Sequence, residues 1–130
     1  MKKDVLSGYT PIFPRCKVWI SSSSEEGVFG DGKWRLLKEL DMCHSIRAAA
    51  ERLGMSYRKA WGDLKKAEAC LNVKLIRKHR GGADGGETIV TEAGKAWIKA
   101  YEAFRGEIDK NVGEMFSRHI KKLIKEIEKS

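Results

Sequence analysis

Ser56, Tyr57, Arg58 and Lys59 place a helix-capping hydroxyl, a phenol and two cations within one helical turn. Further on, RKHRGGADGGETIV (Arg77–Val90) sets basic side chains against two glycine pairs. Side chains of this kind recognise polyanions. A guanidinium or ammonium meets a phosphate oxygen or, in a major groove, guanine O6 and N7. Arg58 and Lys59 are candidates for reading base edges. Arg77, Lys78 and Arg80 are candidates for backbone phosphates, with Gly81 and Gly82 allowing close approach and offering backbone N–H groups. His79 touches phosphate or has no role. Between Ser56 and Arg80, eight Lys or Arg face only Asp63 and Glu68, so most of the chain's net charge of +8 sits there. Such charge also suits an acidic lipid surface or a merely solvated face, so charge alone does not settle the partner.

Other chemistries lack their residues. No paired-carboxylate motif, nucleophile elbow, GxxxxGK or HExxH occurs, so an enzyme is not expected, nor is a cofactor. Cys16, Cys43 and Cys70 lie 27 residues apart, but their flanks share nothing and no CxxC pair exists. Reduced thiols follow, and Cys43–His44 lacks two further ligands for a metal. No apolar run approaches the ~18–20 residues that span a bilayer. The N-terminus, MKKDVLSGYTPIFPRC, has no signal-peptide pattern, so a cytoplasmic protein without a membrane partner is expected. At 130 residues and 42% hydrophobic content, the chain suits one domain with an appended helix.

The elements that must position the cations can be read in order. KVWI (Lys17–Ile20) and GVFG (Gly27–Gly30) read as a hairpin across SSSSEE. Asp31 is placed to cap a helix with Leu36, Leu37 and Leu40 on its apolar side. Ser45 caps the next, whose Ile46, Ala49, Ala50 and Leu53 share one face, and Gly54 suits a left-handed stop. Ser56 then caps a helix with Tyr57, Ala60, Trp61, Leu64, Ala67 and Leu71 as its apolar stripe, and Lys65 on the other side. Ala50, Gly54 and Met55 have the spacing of a helix-turn-helix: close approach, tight turn and apolar plug. KLIRKHR and ETIVT form a second hairpin, a basic wing. Thr91 caps a long helical region in which Trp97, Tyr101, Phe104, Ile108, Val112 and Met115 recur every three or four residues, and Ile120, Leu123, Ile124 and Ile127 continue the pattern. Gly106 and Gly113 are possible bends or breaks. The expected fold is mainly α with small β-hairpins: a winged helix-turn-helix followed by a long C-terminal dimerisation helix region. Its parts are an extension over 1–16, a DNA-binding domain over 17–90 and a helical dimerisation region over 91–130.

AAAERLGMSYRKAW, then RGG with a second glycine pair, then TEAG together resemble the N-terminal domain of the ModE-like family of molybdate-responsive transcriptional regulators. The resemblance covers roughly Lys17 to Arg105. It implies that Ser56, Tyr57, Arg58, Lys59 and Trp61 lie on a recognition helix, that Arg80 to Gly86 form the wing tip, and that the helix from Thr91 dimerises. Full-length members carry C-terminal molybdate-binding domains for which this sequence has no room, so molybdate binding is not expected.

The implied function is a transcriptional regulator binding a palindromic double-stranded DNA site as a homodimer. The alternative is a nonspecific DNA-organising or accessory protein on the same fold. Ser45, at the start of the first helix of the motif, joins the candidate DNA contacts. Trp61 shares its phase with Leu64, which favours core packing, with DNA contact the alternative. Trp97 and Tyr101 read as dimer or core residues. Gly62 permits close approach to DNA or to a neighbouring helix, or is a tolerated weakness.

Overall fold

Two hairpins bracket three helices, and a long helix follows. The computed structural model describes residues 10–24, 26–79 and 87–130. Strands β1 (Trp19–Ser21) and β2 (Gly27–Gly30) pair antiparallel with Ile20 opposite Phe29, and the register shifts between Ile20 and Ser21. The first strand thus begins two residues later than its β-branched residues suggest. A Cβ at Gly30 would sit 3.0 Å from Trp19 Cβ and 3.1 Å from the Val18 carbonyl, so glycine permits this crossing. Helix α1 (Asp31–Cys43) starts directly from the strand. Its N-cap is Gly30, with no side-chain bond, and not Asp31 as expected. Asp31 is the first helical residue, and its Oδ1 lies 2.6 Å from the Tyr101 hydroxyl, which spends the carboxylate on a tertiary contact.

Helices α2 (Ile46–Arg52) and α3 (Tyr57–Leu71) follow, each begun by the expected serine. Ser45 Oγ accepts the Ala48 N–H at 3.0 Å, and Ser56 Oγ accepts the Lys59 N–H at 3.1 Å. Such caps satisfy a donor that the helix itself leaves open. Between them Gly54 adopts φ +69°, and the Met55 N–H returns to the Ala50 carbonyl at 3.0 Å. Met55 packs against the core, as a plug for the turn must. Strands β3 (Ile76–His79) and β4 (Glu87–Val90) pair with Ile76 opposite Val90 and Lys78 opposite Thr88.

Helix α4 (Glu92–Phe116) runs through both Gly106 and Gly113 without a break. A Cβ at either would meet nothing within 4 Å. The departure comes later, as a π-helical turn over Ser117–Lys121 before α5 (Lys122–Lys129). One compact unit spans Val18–Ala103 and so takes in the first three turns of α4. The second comprises the described residues 10–17 and Phe104–Ser130. In it, Arg105 Nη2 donates to the Cys16 carbonyl at 2.7 Å.

Leu36, Leu37, Leu40, Ala49, Ala60, Leu64, Ala67 and Leu75 are fully buried and form the core of the first unit. Aromatic rings extend it: Phe29 lies 5.0 Å from Trp97 and 5.3 Å from Tyr101, and Trp34 lies 5.9 Å from Tyr101. Tyr101 is 2% exposed, which removes it from the expected dimerisation residues. Its ring and hydroxyl are both committed within its own unit, so no surface remains for a partner. Trp97 is half-buried against the same core.

Two helical glycines separate packing from propensity. A Cβ at Gly94 would lie 2.5 Å from the Leu75 carbonyl oxygen and 2.7 Å from Val90 Cγ1, whereas one at Gly62 would meet nothing. We expect Gly94→Ala to lower stability by roughly 1–3 kcal/mol through overpacking, and Gly62→Ala to raise it by about 1 kcal/mol through helix propensity. Urea denaturation of both variants checks the pair, and equal effects would contradict the geometry.

Candidate nucleic-acid interface

The first turn of α3 is held by the Ser56 cap, which fixes the direction in which Tyr57, Arg58 and Lys59 leave the helix. All three are exposed, Tyr57 by 37%. Lys59 Nζ lies 3.1 Å from Asp63 Oδ2, one turn on. Arg58 forms no ion pair with a described residue, so its guanidinium is open to a ligand. Ser45 is half-buried with its hydroxyl engaged in the α2 cap, a structural use of the side chain.

Trp61 is 41% exposed, against the expectation of core packing. At 100° per residue it stands roughly 80° round α3 from the middle of the buried stripe of Ala60, Leu64, Ala67 and Glu68. Sharing an edge with Leu64 is not enough to bury a ring of that size. Lys65 Nζ lies 5.4 Å above it. A Cβ at Gly62 would meet nothing within 4 Å, so no described helix packs closely on that face.

On the wing strand, Arg77 and Lys78 are both exposed. Successive strand residues point to opposite faces, so these two cannot both line one surface by side-chain direction alone. Arg77 shares the face of Ile89, and Lys78 that of Thr88. Arg80, Gly81 and Gly82, expected at the wing tip, lie outside the described residues.

Two residues of the site escaped sequence reading. Arg47, exposed on α2, has its guanidinium carbon 4.7 Å from the Tyr57 ring centroid. Glu68, 8% exposed, ties α3 to the wing. Its Oε2 accepts the Leu75 N–H at 2.8 Å and the Ile76 N–H at 3.1 Å, while Oε1 receives Lys65 Nζ at 3.3 Å. Burial works against the charged carboxylate. The two backbone donors and Lys65 outweigh it, and hold the carboxyl below the ordinary carboxylate range. The available signal was a carboxylate falling in the buried phase of an amphipathic helix. Thr91 closes the far side of the wing: its Oγ1 donates to the Lys74 carbonyl at 2.6 Å and accepts the Gly94 N–H at 3.0 Å.

Phe104 and Met115 are each 45% exposed, and Ile108 and Val112 half-buried, along the part of α4 in the second unit. No helix of the described residues is long and apolar enough to cross a membrane.

Residues 32–95 match the family model of bacterial regulatory helix-turn-helix proteins of the lysR family. The chain is similar to the transcriptional regulator ModE of Haemophilus influenzae, 30% identical over 66% of this chain and 34% of that protein. It is also similar to the molybdenum-pterin-binding protein MopA of Rhodobacter capsulatus, 32% identical over 65% of this chain and 32% of that protein. The dual regulator ModE of Escherichia coli is 25% identical over 68% of this chain and 34% of that protein. The chain thus spans about a third of the length of these relatives. The molybdenum-pterin binding in one of those names belongs to that protein. The family match covers the segment with the caps and the turn described above.

Glu68 generates a prediction. Because its folded carboxyl titrates below the unfolded value, it contributes stability at neutral pH that is lost as pH falls through that lowered value. Glu68→Ala leaves two buried N–H groups unpaired and should cost roughly 2–5 kcal/mol. Glu68→Gln keeps an acceptor, should cost less, and should flatten the acid limb of a stability-versus-pH curve. An unchanged acid limb would remove Glu68 from this role.

Proposed function

We propose, from the premise that residues 32–95 form a LysR-type helix-turn-helix domain, that this chain is a DNA-binding transcriptional regulator. It acts as a homodimer on a palindromic double-stranded site, with α3 in the major groove and the basic wing on the backbone. The observation that carries the reading is Arg58: exposed in the capped first turn of α3, outside every ion pair among the described residues, and long enough to reach a base edge. Lys59, with its Asp63 partner, must give up an exposed pair of about 0.3–0.5 kcal/mol to do the same.

The homodimer is supported by the exposed apolar side chains of α4, the π-turn and α5. Met115, Ile120, Leu123 and Ile127 are each 40–53% exposed at spacings of three to five residues. A lone helix gains nothing by presenting such a row to water. A two-fold dimer suits half-sites about 34 Å apart, or a multiple of that distance.

Binding isotherms on a site selected from random duplexes, and on its scrambled version, test the division of labour. Arg58→Ala should weaken the selected site by about 1–3 kcal/mol more than the scrambled one. Arg77→Ala should weaken both about equally and flatten the log–log salt dependence by roughly one. Equal, sequence-blind binding by the unaltered chain would favour the DNA-organising alternative. Sedimentation should show a dimer at micromolar concentration and a monomer for Ile108→Glu with Met115→Glu. A monomeric unaltered chain would reject the dimer.

A further inference from the structure

The exposed aromatic rings of α3 and the cations above them form a row that neither the core nor base reading explains. Tyr57, Trp61 and Lys65 recur every four residues, which places them along one flank of the helix. Arg58, roughly 100° round from Tyr57, lies beyond that row. Each ring carries a cation. Arg47 comes from α2 to stand 4.7 Å over Tyr57, and Lys65 stands 5.4 Å over Trp61. Lys65 is held a second time by Glu68 at 3.3 Å. Arg47 has no ion pair with a described residue.

A guanidinium held against a ring by cation–π attraction still has N–H donors to offer, which suits an acceptor with several oxygens such as a phosphate. The ring also restricts a side chain that otherwise loses rotamer freedom on binding. The same rings are poor platforms for bases, because the bases of a duplex are paired and stacked on one another.

We propose that Arg47, with Lys65 beside it, is a backbone-phosphate contact, and that Tyr57 and Trp61 are positioning residues that hold these cations ready along one edge of the recognition helix. This deepens the DNA-binding reading above and rests on it. Tyr57 acts through its ring and not through its hydroxyl, and it reads no base.

Salt-dependent binding isotherms of the full chain on selected and scrambled duplexes decide the matter. Arg47→Ala should weaken both duplexes alike, roughly tenfold, the scale of one charge-assisted hydrogen bond, and lower the salt slope by about one. Tyr57→Phe should bind as the unaltered chain does, since the ring remains. Tyr57→Leu should reproduce most of the Arg47→Ala loss, and combining the two should cost little beyond Arg47→Ala alone. The residues being exposed, urea midpoints should stay at the unaltered value, which separates this role from a structural one. Unchanged affinity and slope in Arg47→Ala would overturn the proposal. So would Tyr57→Phe behaving like Tyr57→Leu, or Tyr57→Leu losing only the selected site. If the unaltered chain bound neither duplex, the DNA-binding reading itself would fall.

Discussion

The Glu68 carboxylate is the joint on which the arrangement of helix and wing depends. It is a charged group near the end of α3, 8% exposed, with both oxygens engaged. Desolvating a carboxylate is costly, and here two backbone donors at the start of β3 and the Lys65 ammonium offset that cost. Those donors belong to the residues that lead the chain from α3 into the wing. One side chain therefore fixes where the wing begins relative to the helix, and one of its oxygens holds the Lys65 ammonium beside Trp61. An apolar residue at position 68 would fill the space but leave the Leu75 and Ile76 N–H groups without their acceptor.

The other side of the wing is closed by a different set of bonds. Thr91 caps α4 and at the same time grips the Lys74 carbonyl, while its own N–H donates to the Leu75 carbonyl at 3.0 Å. Gly94 makes this possible, since any side chain there would run into the Leu75 carbonyl. Tyr101, two turns later, inserts its ring beside Phe29 and directs its hydroxyl to Asp31, with the Val18 carbonyl 3.3 Å away. The first three turns of α4 thus serve the core of the helix-turn-helix unit, and the exposed apolar side chains start from Phe104.

Charge counted along the sequence overstates the charge on offer. Lys59, Lys65 and Lys66 are paired with Asp63, Glu68 and Glu26 at 3.1–3.3 Å. Pairs of this kind are weak in water and break readily for a phosphate, but they lower the field that a distant duplex feels. Arg47, Arg58, Lys74, Arg77 and Lys78 are left outside ion pairs among the described residues. The three arginines among them have planar heads that suit both bidentate base contacts and stacking on rings.

The helix-turn-helix was legible in the sequence because its determinants are local. Ser45 and Ser56 cap the helices that follow them, Gly54 takes the left-handed turn, and apolar periodicity assigns Leu64 and Ala67 to the core. The same holds for the basic hairpin and the long terminal helix. What the sequence could not settle were contacts made between elements distant along the chain. Tyr101 and Phe104 have the same spacing pattern, yet one is buried and the other exposed, because only the packing of Phe29 and Trp34 determines where the core stops. Asp31 looked like a cap until the strand before it brought Gly30 into that place and Tyr101 claimed its carboxylate. Trp61 and Leu64 share a phase on a helical wheel, but burial depends on how far the neighbouring elements reach round the helix. Arg47 and Glu68 became visible only in the folded chain, because a cation over a ring and a carboxylate under a strand are relations between separate elements, and periodicity within one element carries no record of them.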